Sequence, residues 1–209
     1  MHKIEGIFPT PIYQESLKYK ITNKDINLCK KIYPKTYDNV GNFTSQNNKL
    51  HPHLYHVLDE KVFLNLKKEL LKSVNIYFKE VLSPKNKLTP YITQSWLNFT
   101  NENQFHQTHN HSNSIVSGVY YINANEGDNI SFHQEQARPQ IYIPPKEYNL
   151  FNSKTWTFKI SKGFLILFPS SLLHSVGVRK GDKTRISLAF NTFVKGTLGN
   201  NMDLDELIL

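Results

Sequence analysis

Cysteine is almost missing from this chain: Cys29 stands alone in 209 residues, so no internal disulfide can form and a reducing cytoplasm fits best. It lies in the helix-like run NKDINLCKKIY, where a small buried apolar role outweighs that of a nucleophile. Long hydrophobic runs are missing too. No stretch approaches the roughly 20 apolar residues of a membrane helix. The opening MHKIEGIFPTPIY lacks the basic-then-apolar order of a secretory leader. Both absences argue against a membrane partner. The formal net charge is +8, yet the lysines are scattered and never form a block, which leaves nucleic acid open as a partner without favouring it. No repeat of solenoid period is present. What remains is an ordinary globular composition, 39% hydrophobic and 20% charged, sufficient for one core.

The expected organisation is a single domain over 1–209, with a strand and supporting helices in 1–90, a β core in 91–195 and a tail in 196–209. Residues 4–14, punctuated by Pro9 and Pro11, read as a strand on a sheet edge. Residues 23–33 read as a short amphipathic helix capped by Asn23, and residues 35–53 as loop. Asp59 is expected to cap a helix whose apolar stripe runs from Val62 through Leu66, Leu70 and Val74 to Val81, with Pro84 ending it. After Pro90 come eight β-rich runs: ITQSWLNFT, FHQTHNH, IVSGVYYIN, NISFHQ, TWTFKI, GFLILFP, HSVGV and RISLAFNTF. Short strands at this spacing predict a mainly β protein, a double-stranded β-helix (jelly roll, cupin-like) with the helices packed on its outer sheet. The acidic, apolar tail LGNNMDLDELIL suits a closing helix or a homodimer contact.

The chemistry-bearing residues concentrate in the β region. His109 and His111 are two apart, so on a strand both imidazoles share a face, and neutral imidazole suits iron, zinc, copper or nickel. His174, just after the buried run GFLILFP, is the best third ligand. Eleven residues later, Arg185 and Ser187 share a strand face, where a guanidinium fork and a hydroxyl would hold a carboxylate. His51, His53 and His56 have no partner at fixed spacing and read as surface or packing residues. His106 is mismatched in parity with His109 and should face away unless a bulge intervenes. His133 ends a strand near the expected cavity mouth.

In this order, His-x-His, a distant His and then Arg-x-Ser, the chain resembles the iron(II)- and 2-oxoglutarate-dependent oxygenases. SWLNFT, SGVYYI, FPSSLLHSV and RISLAFN resemble a small-protein branch found mainly in marine bacteria and their phages and related to prolyl hydroxylases. The resemblance implies a cytoplasmic enzyme using Fe(II), O2 and 2-oxoglutarate, with His109, His111 and His174 as both catalytic and metal residues. It implies that Arg185 anchors the co-substrate's distal carboxylate with Ser187 in support. Tyr121 aligns with a tyrosine that reaches the co-substrate in prolyl hydroxylases, and Ser117 shares its strand parity. Asn98 stands where related nucleic-acid demethylases place a co-substrate-binding asparagine, although Thr100 replaces their tyrosine. Relation to prolyl hydroxylases favours hydroxylation of a peptidyl or amino-acid side chain. The segment Gln134 to Lys154 is the expected lid, with Phe105, Tyr142, Tyr148 and Trp156 as candidate entrance aromatics.

One departure stands out. The superfamily pattern has a carboxylate where this chain has His111, and a neutral imidazole there makes the centre one unit more positive. Either three histidines hold the ion, with zinc or nickel as competitors of iron, or His111 flanks the site and a distant acid completes it. Two other functions compete: a non-catalytic metal-binding jelly roll with a structural or interaction role, and a cupin-type metalloenzyme that does not use 2-oxoglutarate. Neither needs a carboxylate clamp at Arg185 and Ser187.

Overall fold

In the computed structural model, which describes residues 2–39, 41–45, 51–134, 141 and 143–209, the eight expected β-runs all form strands. The elements in order are β1 (Tyr13–Ser16), α1 (Asn23–Ile32), β2 (Tyr37–Asn39), β3 (Asn42–Thr44), α2 (Leu64–Tyr77), β4 (Thr89–Thr100), β5 (His106–His109), β6 (Val116–Asn123), β7 (Asn129–His133), β8 (Thr155–Lys159), β9 (Phe164–Pro169), β10 (Leu173–Val176), β11 (Arg185–Lys195), β12 (Thr197–Leu198) and β13 (Leu207–Ile208). A seven-stranded sheet has the order β1-β9-β6-β11-β4-β3-β2, and a four-stranded sheet the order β5-β10-β7-β8. All named pairings are antiparallel. The mainly β architecture is a jelly roll.

The large sheet is covered on both faces, so its central strands read as continuous apolar runs rather than alternating ones. One face packs on the helices: Leu66, Leu70, Val74 and Tyr77 of α2 share a buried cluster with Leu97, Tyr120, Leu165, Leu167, Leu188 and Phe190. The other face meets the small sheet through Trp96, Val119, Tyr121, Ile166, Phe168 and Ala189, joined by Ile130 and Phe132 of β7. Strand parity sorts these residues, since Tyr120 and Tyr121, or Leu165 and Ile166, fall into different clusters.

Several local expectations are corrected. Strand structure at the N-terminus begins only at Tyr13, beyond Pro9 and Pro11, although β1 does lie on a sheet edge. Thr22, not Asn23, caps α1: Asp25 N–H donates to Thr22 Oγ1 while Thr22 N–H donates to the Asp25 carboxylate. Asp59 makes no cap for α2; it pairs with Lys67 instead, and short 3₁₀ turns precede the helix. Past Tyr77 the chain winds wider, π-fashion, over Phe78–Leu82, and Ser83 at φ +43° closes the helix before Pro84. The stretch expected to be loop contains the hairpin β2–β3 around Gly41 (φ +106°), which extends the large sheet. The tail forms no closing helix; β12 and β13 pair as a small ribbon.

Candidate active site and metal centre

β5 and β10 pair so that His109 lies directly opposite His174, and the backbone N–H of His111 donates to Ser170 O at 2.9 Å, drawing the residue after the strand back toward the same point. One ligand atom from each of the three imidazoles lies within 4.8 Å of the others. Each Nδ1 faces a carbonyl oxygen: Gln107 O at 2.8 Å for His109, Leu172 O at 3.0 Å for His174 and Asn191 Oδ1 at 2.5 Å for His111. A carbonyl only accepts, so Nδ1 carries the proton in all three rings and Nε2 keeps its lone pair for a metal. Burial keeps the rings neutral. It pushes His174 down to about 2, with His109 adding to the effect, and lowers His109 and His111 despite their Nδ1 hydrogen bonds. Trp96 backs His111 at 5.6 Å between ring centroids, and Phe168 backs His174 at 4.6 Å. Three neutral nitrogen donors with fixed tautomers fit a divalent transition ion; among the described residues no Asp or Glu joins the group.

The same cavity continues to a guanidinium. β11 lies between β4 and β6, with Ser187 opposite both Asn98 and Tyr121, so the three side chains stand abreast on the inner face. Arg185 is buried, and its Nη2 donates to Thr100 Oγ1 at 2.9 Å. Burial lowers its pKa, while Tyr121 and Asp128 oppose that shift. Around it, Tyr121 Oη, Asn98 Oδ1 and both amide atoms of Asn42 are buried with no hydrogen-bond partner. All of these residues line one cavity together with the histidines. Each unsatisfied buried polar atom costs about 1–3 kcal/mol. A group of them beside a cation fits a polar anionic ligand that would satisfy them. Burial raises the Tyr121 hydroxyl well above its ordinary value, so it stays protonated and able to donate.

The structure thus brings His109, His111 and His174 to one point, and Arg185, Ser187, Tyr121 and Asn98 to the cavity they share. Ser117 lies behind the histidine group: its Oγ is 3.0 Å from His111 Nδ1 and donates to Asn191 Oδ1 at 2.8 Å. His106 also lines the cavity, stacked on His109 at 4.3 Å. The expectation that it faces away fails because the β5–β10 register shifts: two residues from His174 to Val176 match three from His109 to His106. His133 bonds Ser175 at 2.7 Å and Thr155 at 3.1 Å, outside the histidine group. His51 and His53 pack ring against ring, away from that group. Of the proposed lid, 135–140 and Tyr142 lie outside the described residues, and Tyr148 and Leu150 are exposed. Reading the sequence missed Asn191, Asn42, Asp128 and Arg179. Asn191 shares the parity of Arg185 and Ser187 and was there to be found, whereas Asn42 belongs to a hairpin that no pattern announced.

Residues 94–191, which hold every cavity residue named above except Asn42, match the family described as "Putative 2OG-Fe(II) oxygenase". Over that stretch, just under half of its length, the chain is similar to the 2OG-Fe(II) oxygenases. Similar solved structures include the epimerase SnoN with Fe3+, alpha ketoglutarate and nogalamycin RO (TM-score 0.60, 9% identity, covering 88% of this chain and 79% of that one). HygX from Streptomyces hygroscopicus with nickel, 2-oxoglutarate and hygromycin B is another (0.54, 10%, 88% and 82%). A third is a 2OG-Fe(II) oxygenase family oxidoreductase from Burkholderia pseudomallei (0.50, 13%, 81% and 78%). At such identities the likeness is one of fold. No curated protein matches the sequence.

Proposed function

We propose that His109, His111 and His174 hold the iron, that Arg185 and Ser187 take the distal carboxylate of 2-oxoglutarate, and that the enzyme hydroxylates a peptidyl or amino-acid side chain. The observation that carries this reading is the single cavity with three metal-ready imidazoles at one end and a buried guanidinium ringed by unpartnered polar atoms at the other. When bound, iron(II) supplies dioxygen activation coupled to decarboxylation of 2-oxoglutarate to succinate. The protein's own residues bind, orient and shield. Thr100 fixes one edge of the Arg185 fork, and Tyr121 offers a neutral hydroxyl donor beside it. Trp96 and Phe168 keep water from the backs of His111 and His174. A peptide substrate is supported by β5, the strand that carries His109. It is the outer strand of its sheet, and its Gln107 and Thr108 are exposed, so an extended segment can pair alongside it.

Anaerobic addition of iron(II) and 2-oxoglutarate should produce a weak visible metal-to-ligand absorption band, and air should then release succinate. The band should vanish in His174→Ala and weaken in Arg185→Gln. Neither band nor succinate from the unsubstituted protein would return the chain to the non-catalytic or cupin-type alternatives. Succinate release screened against peptide and nucleotide libraries identifies the substrate, and stimulation by nucleotides alone would sink the side-chain assignment.

A further inference from the structure

Two buried guanidiniums share a single carboxylate beside the cavity. Arg179 follows β10 and Asp128 precedes β7; their side chains are 0% and 4% exposed. Arg179 Nη1 donates to both Asp128 oxygens at 2.7 Å, while Arg185 Nη1 stands 3.6 Å from Asp128 Oδ1, beyond hydrogen-bond range. Asp128 is held from the other side as well, because Asn125 N–H donates to its Oδ2 at 2.8 Å. Arg179 Nε and Nη2 are buried without partners, so Asp128 is the one group to which this guanidinium is committed among the described residues. The backbone fixes both partners. Arg179 N–H donates to Gln104 O and its carbonyl accepts from Asn103 N–H, while Asp128 closes a turn on Asn125 O. Arg185 faces the cavity, whereas Arg179 does not.

This arrangement decides whether Arg185 is available. A carboxylate this close to an arginine ordinarily takes it in a paired fork. Here Arg179 occupies both Asp128 oxygens, and the trio of Arg179, Asp128 and Arg185 retains one uncompensated positive charge next to the cavity. Resting on the reading of Arg185 as the carboxylate anchor, we propose that Arg179 is a positioning residue for co-substrate binding: it sequesters Asp128, and so leaves Arg185 free for the acid co-substrate. Asp128 is in effect an internal competitor for Arg185.

The test is a set of calorimetric 2-oxoglutarate titrations on zinc-substituted protein, where turnover cannot occur, with zinc affinity and thermal melting followed in parallel. Arg179→Met should weaken 2-oxoglutarate binding about tenfold or more as Asp128 turns to Arg185, with zinc affinity unchanged. Arg179→Met combined with Asp128→Asn removes the competitor too and should return binding to within about threefold of the unsubstituted protein. Asp128→Asn alone should bind 2-oxoglutarate at least as tightly as the unsubstituted protein, and this holds the inference to account even if Arg179→Met fails to fold. Unchanged binding in Arg179→Met, no rescue in the double variant, or weakened binding in Asp128→Asn would each overturn the inference. Unsubstituted protein that binds no 2-oxoglutarate would overturn the functional reading and this one with it, whereas the variant outcomes bear on Arg179 alone.

Discussion

At the scale of single residues, the proposed metal centre depends on what holds the far nitrogen of each ring. His111, the proposed ligand at the position where the 2OG-Fe(II) oxygenase pattern has a carboxylate, has its tautomer set by a side chain rather than by the backbone: Asn191 Oδ1 at 2.5 Å. Asn191→Ala should therefore lower metal affinity by about tenfold to a hundredfold, the usual effect of removing such a partner. Competition against a chromogenic chelator measures this; unchanged affinity would mean that Ser117 alone fixes the ring. At the other end of the cavity, Arg185→Gln replaces a charged donor fork by a neutral one. The loss expected for charged hydrogen bonds is about 1.5–3 kcal/mol, read as roughly a tenfold to hundredfold rise in the 2-oxoglutarate Kd with metal affinity intact. Ser187 and Arg185 were legible as one face because alternation along a strand is a local property, and the same alternation carried on to Asn191 would have added it. Asn42 and Arg179 were not, because nothing near them in the chain says which strand or loop they will meet.

At the scale of elements, two features position the site: the shifted β5–β10 register and the close packing of the central strands. The shift spends an extra residue between His109 and His106 and so turns both rings into the cavity, which strict alternation would forbid. Close packing shows at Gly118 on β6, where an added Cβ would lie 2.2 Å from the Phe190 ring and 2.7 Å from Leu167 Cδ2, both fully buried. Gly118→Ala should destabilise the protein by about 1–3 kcal/mol or more, because neither neighbour has room to withdraw. Denaturant melts check this, and a neutral result would mean that the helix-facing cluster is looser than the contacts imply. The strand runs themselves were readable from β-rich segments and turn residues. The β2–β3 hairpin was not, because its Asn, Gly and Thr content resembles that of any loop until β4 supplies a partner.

At the scale of the molecule, four histidines from β5, β10 and the segment between β5 and β6 are packed into one cavity between two sheets. Burial pushes His106 down to about 3, His174 to about 2, and lowers His109 and His111. All four folded-state values lie below the ordinary histidine value near 6.5. The unfolded chain therefore takes up protons first as pH falls, and stability, constant above about 6.5, declines toward pH 3. Metal-free protein should melt at a lower temperature at pH 5.5 than at pH 7.5; equal melting temperatures would mean that the imidazoles are more hydrated than the packing indicates. At neutral pH, saturation with iron or zinc at a hundred times its Kd should add about 2.7 kcal/mol, removable by chelator. The amino-acid sequence by itself determined the β-rich core, the three histidines and the Arg185–Ser187 face, because periodicity and spacing are written into neighbouring residues. Only the tertiary structure decided that His106 joins the cavity, that Asn191 holds His111, and that Arg179 takes the hydrogen bonds of Asp128 while Arg185 stays only in ion-pair range of it. Those outcomes depend on register and on contacts between distant segments, which close packing fixes and local sequence does not.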